Sequence, residues 1–204
     1  MKMPAATKKR ILTIAAALTV TAGAAFGYQQ IFTKGLDRLP ARPCSGAVER
    51  STAASALPTA RKAEDRGKLR ISLHGQFKFF CYVRTEGSII SGEAQSGFAS
   101  VEDWWAGRDD GTVSVTSGDV RALAFPRLAT VYVPCTPEGA KDEPDRAHSL
   151  IVEARTIGET RTDGPALRQT VLDFAYQMAK HAYDAGRCQE PQKLPEELPR
   201  INSN

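Results

Sequence analysis

Residues 69–83, LRISLHGQFKFFCYV, decide the fold. Leu69, Ile71 and Leu73 alternate with Arg70, Ser72 and His74, and then Phe77, Phe79, Cys81 and Val83 alternate with Lys78, Phe80, Tyr82 and Arg84. A period of two sends successive side chains to opposite faces, so each run predicts a strand with one face on a core. Gly75-Gln76 between them predicts a hairpin turn. A second turn at Glu86-Gly87 leads to a weaker strand over 88–98, completing an antiparallel meander.

Working outward, Ser100 with Asp103 three residues later predicts an N-cap and a short helix over Val101–Ala106. A turn over 108–111 and a short strand over 112–116 follow. Leu128–Cys135 is rich in β-formers, and Pro134 predicts that this strand ends at a sheet edge. Residues 138–146 read as a surface loop, and 148–156 return as a strand with Leu150, Val152 and Ala154 on one face. On the other side of the hairpin, Ala47–Ala60 predicts a short helix stopped by Pro58. Arg61–Arg70 carries five basic and two acidic residues around Gly67, which reads as a solvated turn entering the strand rather than a binding patch.

The clearest helix is the last. Asp163 offers a cap, Pro165 suits the first turn, and Gly186 sits where a terminal glycine belongs. Leu167, Val171, Phe174, Ala175, Met178 and Ala182 recur at three- and four-residue spacing, with Arg168, Gln169, Asp173, Gln177, Lys180 and His181 opposite. The expected fold class is α+β: a mainly antiparallel sheet of about five or six strands with helices on one face. Residues 44–188 form that domain, 34–43 a linker, and 189–204 a polar, Pro-rich tail expected to be poorly ordered.

The four cysteines are Cys44, Cys81, Cys135 and Cys188. No Cys-x-x-Cys spacing occurs and no histidine lies within five residues of a cysteine, so neither zinc nor any other metal or cofactor is expected. An even count in an exported chain reads as a disulfide framework. Cys44–Cys81 with Cys135–Cys188 is favoured, because each pair brackets one stretch of helix and strand. Cys81–Cys135 with Cys44–Cys188 is the rival.

Export is the reading of the N-terminus. Lys2, Lys8, Lys9 and Arg10 precede an uncharged stretch over 11–33. Its length matches a bilayer core of ~30 Å, and the flanking charge predicts residues 1–10 in the cytoplasm. A transmembrane anchor is expected. The alternative is a cleaved signal peptide with Ala22 and Ala24 near its cut, giving a secreted protein. Those four cations also account for the whole net charge of +4, since the other 23 basic residues equal the 23 acidic ones. A neutral body argues against nucleic acid as a partner.

Candidates for chemistry are few. His148-Ser149 lacks the Gly-x-Ser-x-Gly elbow of an exposed nucleophile and reads as a polar loop end. Asp109-Asp110-Gly111 lacks the other ligands of a calcium loop, and Glu153 falls on the solvent side of its strand. Trp104 and Trp105 stand out, because consecutive helical residues point about 100° apart and a short helix cannot easily bury both. The plain expectation is that one packs on the sheet and the other covers the core's edge. The functional alternative is contact with a partner protein, a glycan or the membrane surface.

A short basic start, one Ala-rich span, Leu-Pro-Ala-Arg-Pro-Cys44, Phe-Phe-Cys81-Tyr-Val, Tyr-Val-Pro-Cys135 and a late helix ending in Cys188 together resemble single-span, exported actinobacterial envelope proteins of unknown function. The plan is also similar to their small exported lipoproteins, without the lipid-bearing cysteine. The resemblance implies an exported α+β fold and carries over no catalytic residue. The function expected is a non-catalytic, membrane-tethered binding or assembly module facing the cell envelope. The alternative is an exported, hydrolase-like enzyme with a site assembled from dispersed residues.

Overall fold

The computed structural model describes residues 32–72, 75–106, 111–139, 147–190 and 193–201, with Gly23, Gly27 and Tyr28. The expected span over 11–33 falls largely outside these residues, as do Leu73, His74, Asp109, Asp110 and most of the 138–146 loop. Among the described residues no helix is long and apolar enough to cross a membrane.

Seven strands make one antiparallel sheet: β1 Ala63–Ile71, β2 Phe77–Thr85, β3 Ser88–Phe98, β4 Val113–Ser117, β5 Val120–Ala124, β6 Leu128–Pro134 and β7 His148–Gly158. Their order is β1-β2-β3-β7-β6-β5-β4. Each half of the chain thus supplies one meander, and β3 and β7 weld the two together, pairing from Ser88↔Gly158 to Phe98↔His148. Among the described residues the sheet is joined by helices α1 (Arg50–Ala56), α2 (Val101–Trp105) and α3 (Gly164–Ala185) and by a short 3-10 turn, Leu36–Arg38.

Alternation decides which face is covered. Phe77, Phe79, Cys81 and Val83 are buried, and they share a face with Ile90 and Ala94 of β3, Leu150, Val152 and Ala154 of β7, and Ala129, Val131 and Val133 of β6. Against that face lies α3, whose Leu167, Val171, Phe174, Ala175, Met178 and Ala182 are all buried. The short α1 packs beside it, joined by Gln177, which accepts from the Glu49 amide at 2.7 Å and donates to Thr52 Oγ1 at 2.9 Å.

Several expectations need correction. The charged stretch 61–70 is mostly strand, not a turn: β1 pairs residue for residue with β2 from Ala63↔Thr85 to Ile71↔Phe77. Its inward positions include Asp65 and Gly67, so it carries little hydrophobic signal. Asp65 instead accepts a hydrogen bond from the Cys44 amide at 2.6 Å. A Cβ on Gly67 would lie 2.4 Å from the Cys44 backbone, so only glycine lets that turn sit on the strand. The helix expected over 47–60 is shortened to α1, because Cys44, Ser45 and Gly46 all have positive φ and form a left-handed turn before it.

The 34–43 stretch is not a detached linker. Leu36 and Leu39 are buried, and the Gly35 amide donates to the Ala60 carbonyl at 2.7 Å. Strand β5 was not foreseen, and β6 is interior rather than an edge. Pro134 is its last residue, beyond the register shared with β5, so its missing N–H interrupts no ladder there. Gly186 follows α3 with an ordinary right-handed φ, and the positive φ falls on Arg187. Glycine is required at 186 for room, since a Cβ there would meet the Phe77 ring at 2.1 Å.

The tail also packs down. Leu198 is buried, the Ile201 amide donates to Gln169 Oε1 at 2.8 Å, Arg200 pairs with Asp173 at 3.1 Å, and Tyr176 donates to the Pro195 carbonyl.

The cysteines pair as Cys44–Cys81 and Cys135–Cys188, with Cα separations of 5.4 and 4.9 Å and no free cysteine. The first bridge ties the turn before α1 to the middle of β2. The second ties the residue after β6 to the turn three residues beyond the end of α3, where Gln189 and Thr136 also share a 3.0 Å backbone hydrogen bond. Replacing Cys135 and Cys188 by serine is expected to cost up to ~4 kcal/mol through the freed denatured chain. In urea titration with limited proteolysis, cuts should appear first within 163–201 and only later in the β1–β2 hairpin. First cuts in that hairpin would contradict the assignment.

Candidate binding face

All three helices do not share one side. The face opposite α3 carries Phe80 and Tyr82 of β2, Ile89, Ser91, Glu93 and Gln95 of β3, and Ile151, Glu153 and Arg155 of β7. These residues line an open groove of about 740 Å³, continued at one end by Gly97, Phe98, Ala99 and Ser149. Apolar and polar surface line it in nearly equal measure, a mixture suited to ligand contact.

Trp104 and Trp105 stand beside this groove. Ser100 caps α2 through its Oγ, which accepts from the Asp103 amide at 3.1 Å. The cap aims Trp104 at β6, where its Nε1 donates to Thr130 Oγ1 at 3.2 Å and its ring lies 5.6 Å from that of Tyr132. Tyr132, next to Ile151 in register, donates to the Ala99 carbonyl at 3.2 Å. Burial, then the Glu102 and Glu190 charges, push its phenol pKa up. Trp105 lies against Trp104 at 5.9 Å, and both indoles are partly buried. The pair therefore forms an aromatic shoulder on the groove side of the sheet.

Glu93 and Glu153 face each other across β3 and β7. Like charges at directly opposed positions repel, and each is offset by a cation: Lys78 with Glu93 at 3.1 Å, and Arg155 with Glu153 at 3.0 Å. Side chains of both glutamates are about half exposed, at 41% and 50%. This is not the water-poor setting that poises a general acid.

His148 and Ser149 are not a loop end; they open β7, and Ser149 is only 1% exposed. Successive strand residues point to opposite faces, so they are not aligned as a base–nucleophile pair. Ser149 stands at the end of the groove, but its Oγ is itself buried, with no hydrogen-bond partner among the described residues. Sequence alone missed it, because its burial depends on the interior place of β7.

A second, polar cleft of about 600 Å³ lies on the helix side between α1, α3 and the tail. Most of its groups already join elements: Asp173 takes Gln169 at 2.7 Å as well as Arg200, and Lys180 donates to the Glu196 carbonyl at 2.6 Å. His181 tilts on Phe79 at 4.7 Å; burial lowers its pKa, with Asp184 opposing and Arg42 reinforcing the shift. Among the described residues, one cluster has metal-ligand proximity, Cys135, Cys188 and Glu190, but its two sulfurs are bonded to each other and supply no thiolate.

No family model, curated protein or solved structure matches the chain.

Two measurements check this description. Ser149→Ala removes a buried hydroxyl with no partner, so it should leave stability unchanged or raise it by about 1–3 kcal/mol. A loss in the urea midpoint at constant m-value would reveal a partner for Ser149. His181 is protonated more readily in the unfolded chain than in the fold, so acidification through the imidazole range should destabilise. The stability it supports is fully present above the unfolded value of about 6.5 and is lost as the pH falls through the lower folded value. Asp173, whose pKa is raised chiefly by burial, acts in the opposite sense in the lower carboxylate range. His181→Gln should flatten the fall in Tm across the imidazole range; an unchanged slope would remove His181 as its cause.

Proposed function

We propose that the chain is a membrane-tethered, extracytoplasmic binding or assembly module of the cell envelope, and that its open sheet face is where it binds. The observation that carries the reading is the groove itself: one face of the sheet is sealed by α3, while the other leaves Phe80, Tyr82, Ile89 and Ile151 around an unfilled space. Support for export comes from the basic residues ahead of the uncharged stretch over 11–33 and from the two disulfides, which suit an oxidising compartment. The cysteine plan that resembles exported actinobacterial proteins points the same way. Residues 11–33 would hold the module at the membrane, or be removed if the protein is secreted.

The enzyme alternative has one observation in its favour, the opposed Glu93–Glu153 pair in the groove. Their ion pairs and exposure weigh against acid–base work. A photoreactive side chain at Tyr82 and another at Glu159, on the loop after β7, would test the binding reading in native membranes. Tyr82 should yield one dominant adduct and Glu159 none, and Ser91→Trp should block the adduct by filling the groove. Glu153→Gln should leave it intact. Equal labelling from both positions would overturn the proposal. For export, an enzyme reporter active only outside the cytoplasm should work when fused after Asn204, and a cytoplasm-only reporter should fail.

A further inference from the structure

Three ion pairs on the outer face neutralise one another: Lys78–Glu93, Arg84–Glu64 and Arg155–Glu153. Strand β1 adds three more cations to that face, Arg66, Lys68 and Arg70, at alternate positions. Among the described residues none of these three has a carboxylate within ion-pair distance, and Arg70 lies over the Phe80 ring at 5.6 Å. Alternate strand positions are about 6.8 Å apart, so the three make a straight row of regularly spaced charge. Register sets this row beside an aromatic one, with Arg66 opposite Tyr82 and Lys68 opposite Phe80.

We propose that this face binds an acidic saccharide chain. This rests on the binding reading above and names its ligand class. Sugar rings lie on Phe80 and Tyr82, and carboxylate or phosphate groups along the chain meet Arg66, Lys68 and Arg70. The ring hydroxyls meet Ser91, Glu93 and Gln95 of the groove floor. Other ligands fit less well. An extended peptide gains no main-chain pairing on the floor, because β2, β3 and β7 are already paired on both sides. A bilayer surface is flat and would leave the groove and its fixed carboxylates empty.

The test titrates the full chain in nonionic detergent with a galacturonate hexamer, its fully methyl-esterified neutral form, a phosphodiester-bearing mannose oligomer, and phosphatidylglycerol vesicles. Calorimetry reads affinity, and emission from Trp104 and Trp105 reports binding beside the groove. At least one charged oligomer should bind, weakening as salt rises, and which of the two does so identifies carboxylate or phosphate as the anion. The esterified hexamer should bind at least about tenfold more weakly than the acid form if carboxylate is the anion, and not at all if phosphate is. Arg66→Gln with Lys68→Gln, both solvent-exposed and so expected to keep the wild-type Tm, should lower affinity about tenfold or more, and Tyr82→Ala should lower it again. The proposal is overturned by binding to vesicles alone, by failure of both charged oligomers, by equal binding of acid and ester with no phosphodiester binding, or by an unaffected Arg66/Lys68 variant. If the crosslink from position 82 persists in any of those cases, only the saccharide assignment falls; if it is also absent, the binding reading falls with it.

Discussion

Helix α3 laid on one face of a seven-stranded sheet is the contact on which the rest depends. Fully burying a single Leu, Val, Phe or Met stabilises by roughly 1.5–3 kcal/mol, an upper figure for real denatured chains. An exposed ion pair contributes about 0–1 kcal/mol. Leu167, Val171, Leu172, Phe174 and Met178 are buried together in this one interface, so it outweighs all the surface pairs described. Its reach is wide because the helix lies across strands of both meanders, and it therefore fixes the β3–β7 weld as well as itself.

Covering one face has a corollary for the other. A sheet this broad with all its long helical mass on one side must solvate its second face or lend it to something else. Strand patterning reflects that: β2 has an inward row of Phe77, Phe79, Cys81 and Val83 and an outward row that still contains Phe80 and Tyr82. The outward aromatics add little to the core, and the aromatic shoulder of Trp104 and Tyr132 extends the same surface across β6.

Much of this was legible in the residues. The hairpin and α3 declare themselves because alternation and the three-to-four spacing both come from burying one side only. What escaped has physical causes too. In β5, Ala122, Leu123 and Ala124 are all buried, so no alternation remains to be seen, and the strand is short. In β1 the outward residues are charged and the inward ones include Asp65 and Gly67, which are chosen by the Cys44 turn and not by hydrophobicity. The tail is polar and rich in proline, and its single buried leucine at 198 finds its pocket only once α3 exists. The disulfide pairing was readable as local bracketing, whereas the groove was not, because it joins β2 and β3 to β7 from the far half of the chain.

The Cys44–Cys81 bridge has a mechanical consequence. The chain enters the domain at Lys34, which bridges to Ala60, and Leu36 and Leu39 are its first buried anchors. Tension drawn through the N-terminal segment would peel those contacts one by one until it reached Cys44. There the load passes covalently into the middle of β2, a strand hydrogen-bonded on both sides. Peeling stops, and further extension must shear whole ladders at once. The bridge thus divides the chain into a short yielding leader of about ten residues and a body that resists as one unit, an arrangement suited to a domain that is pulled from one end.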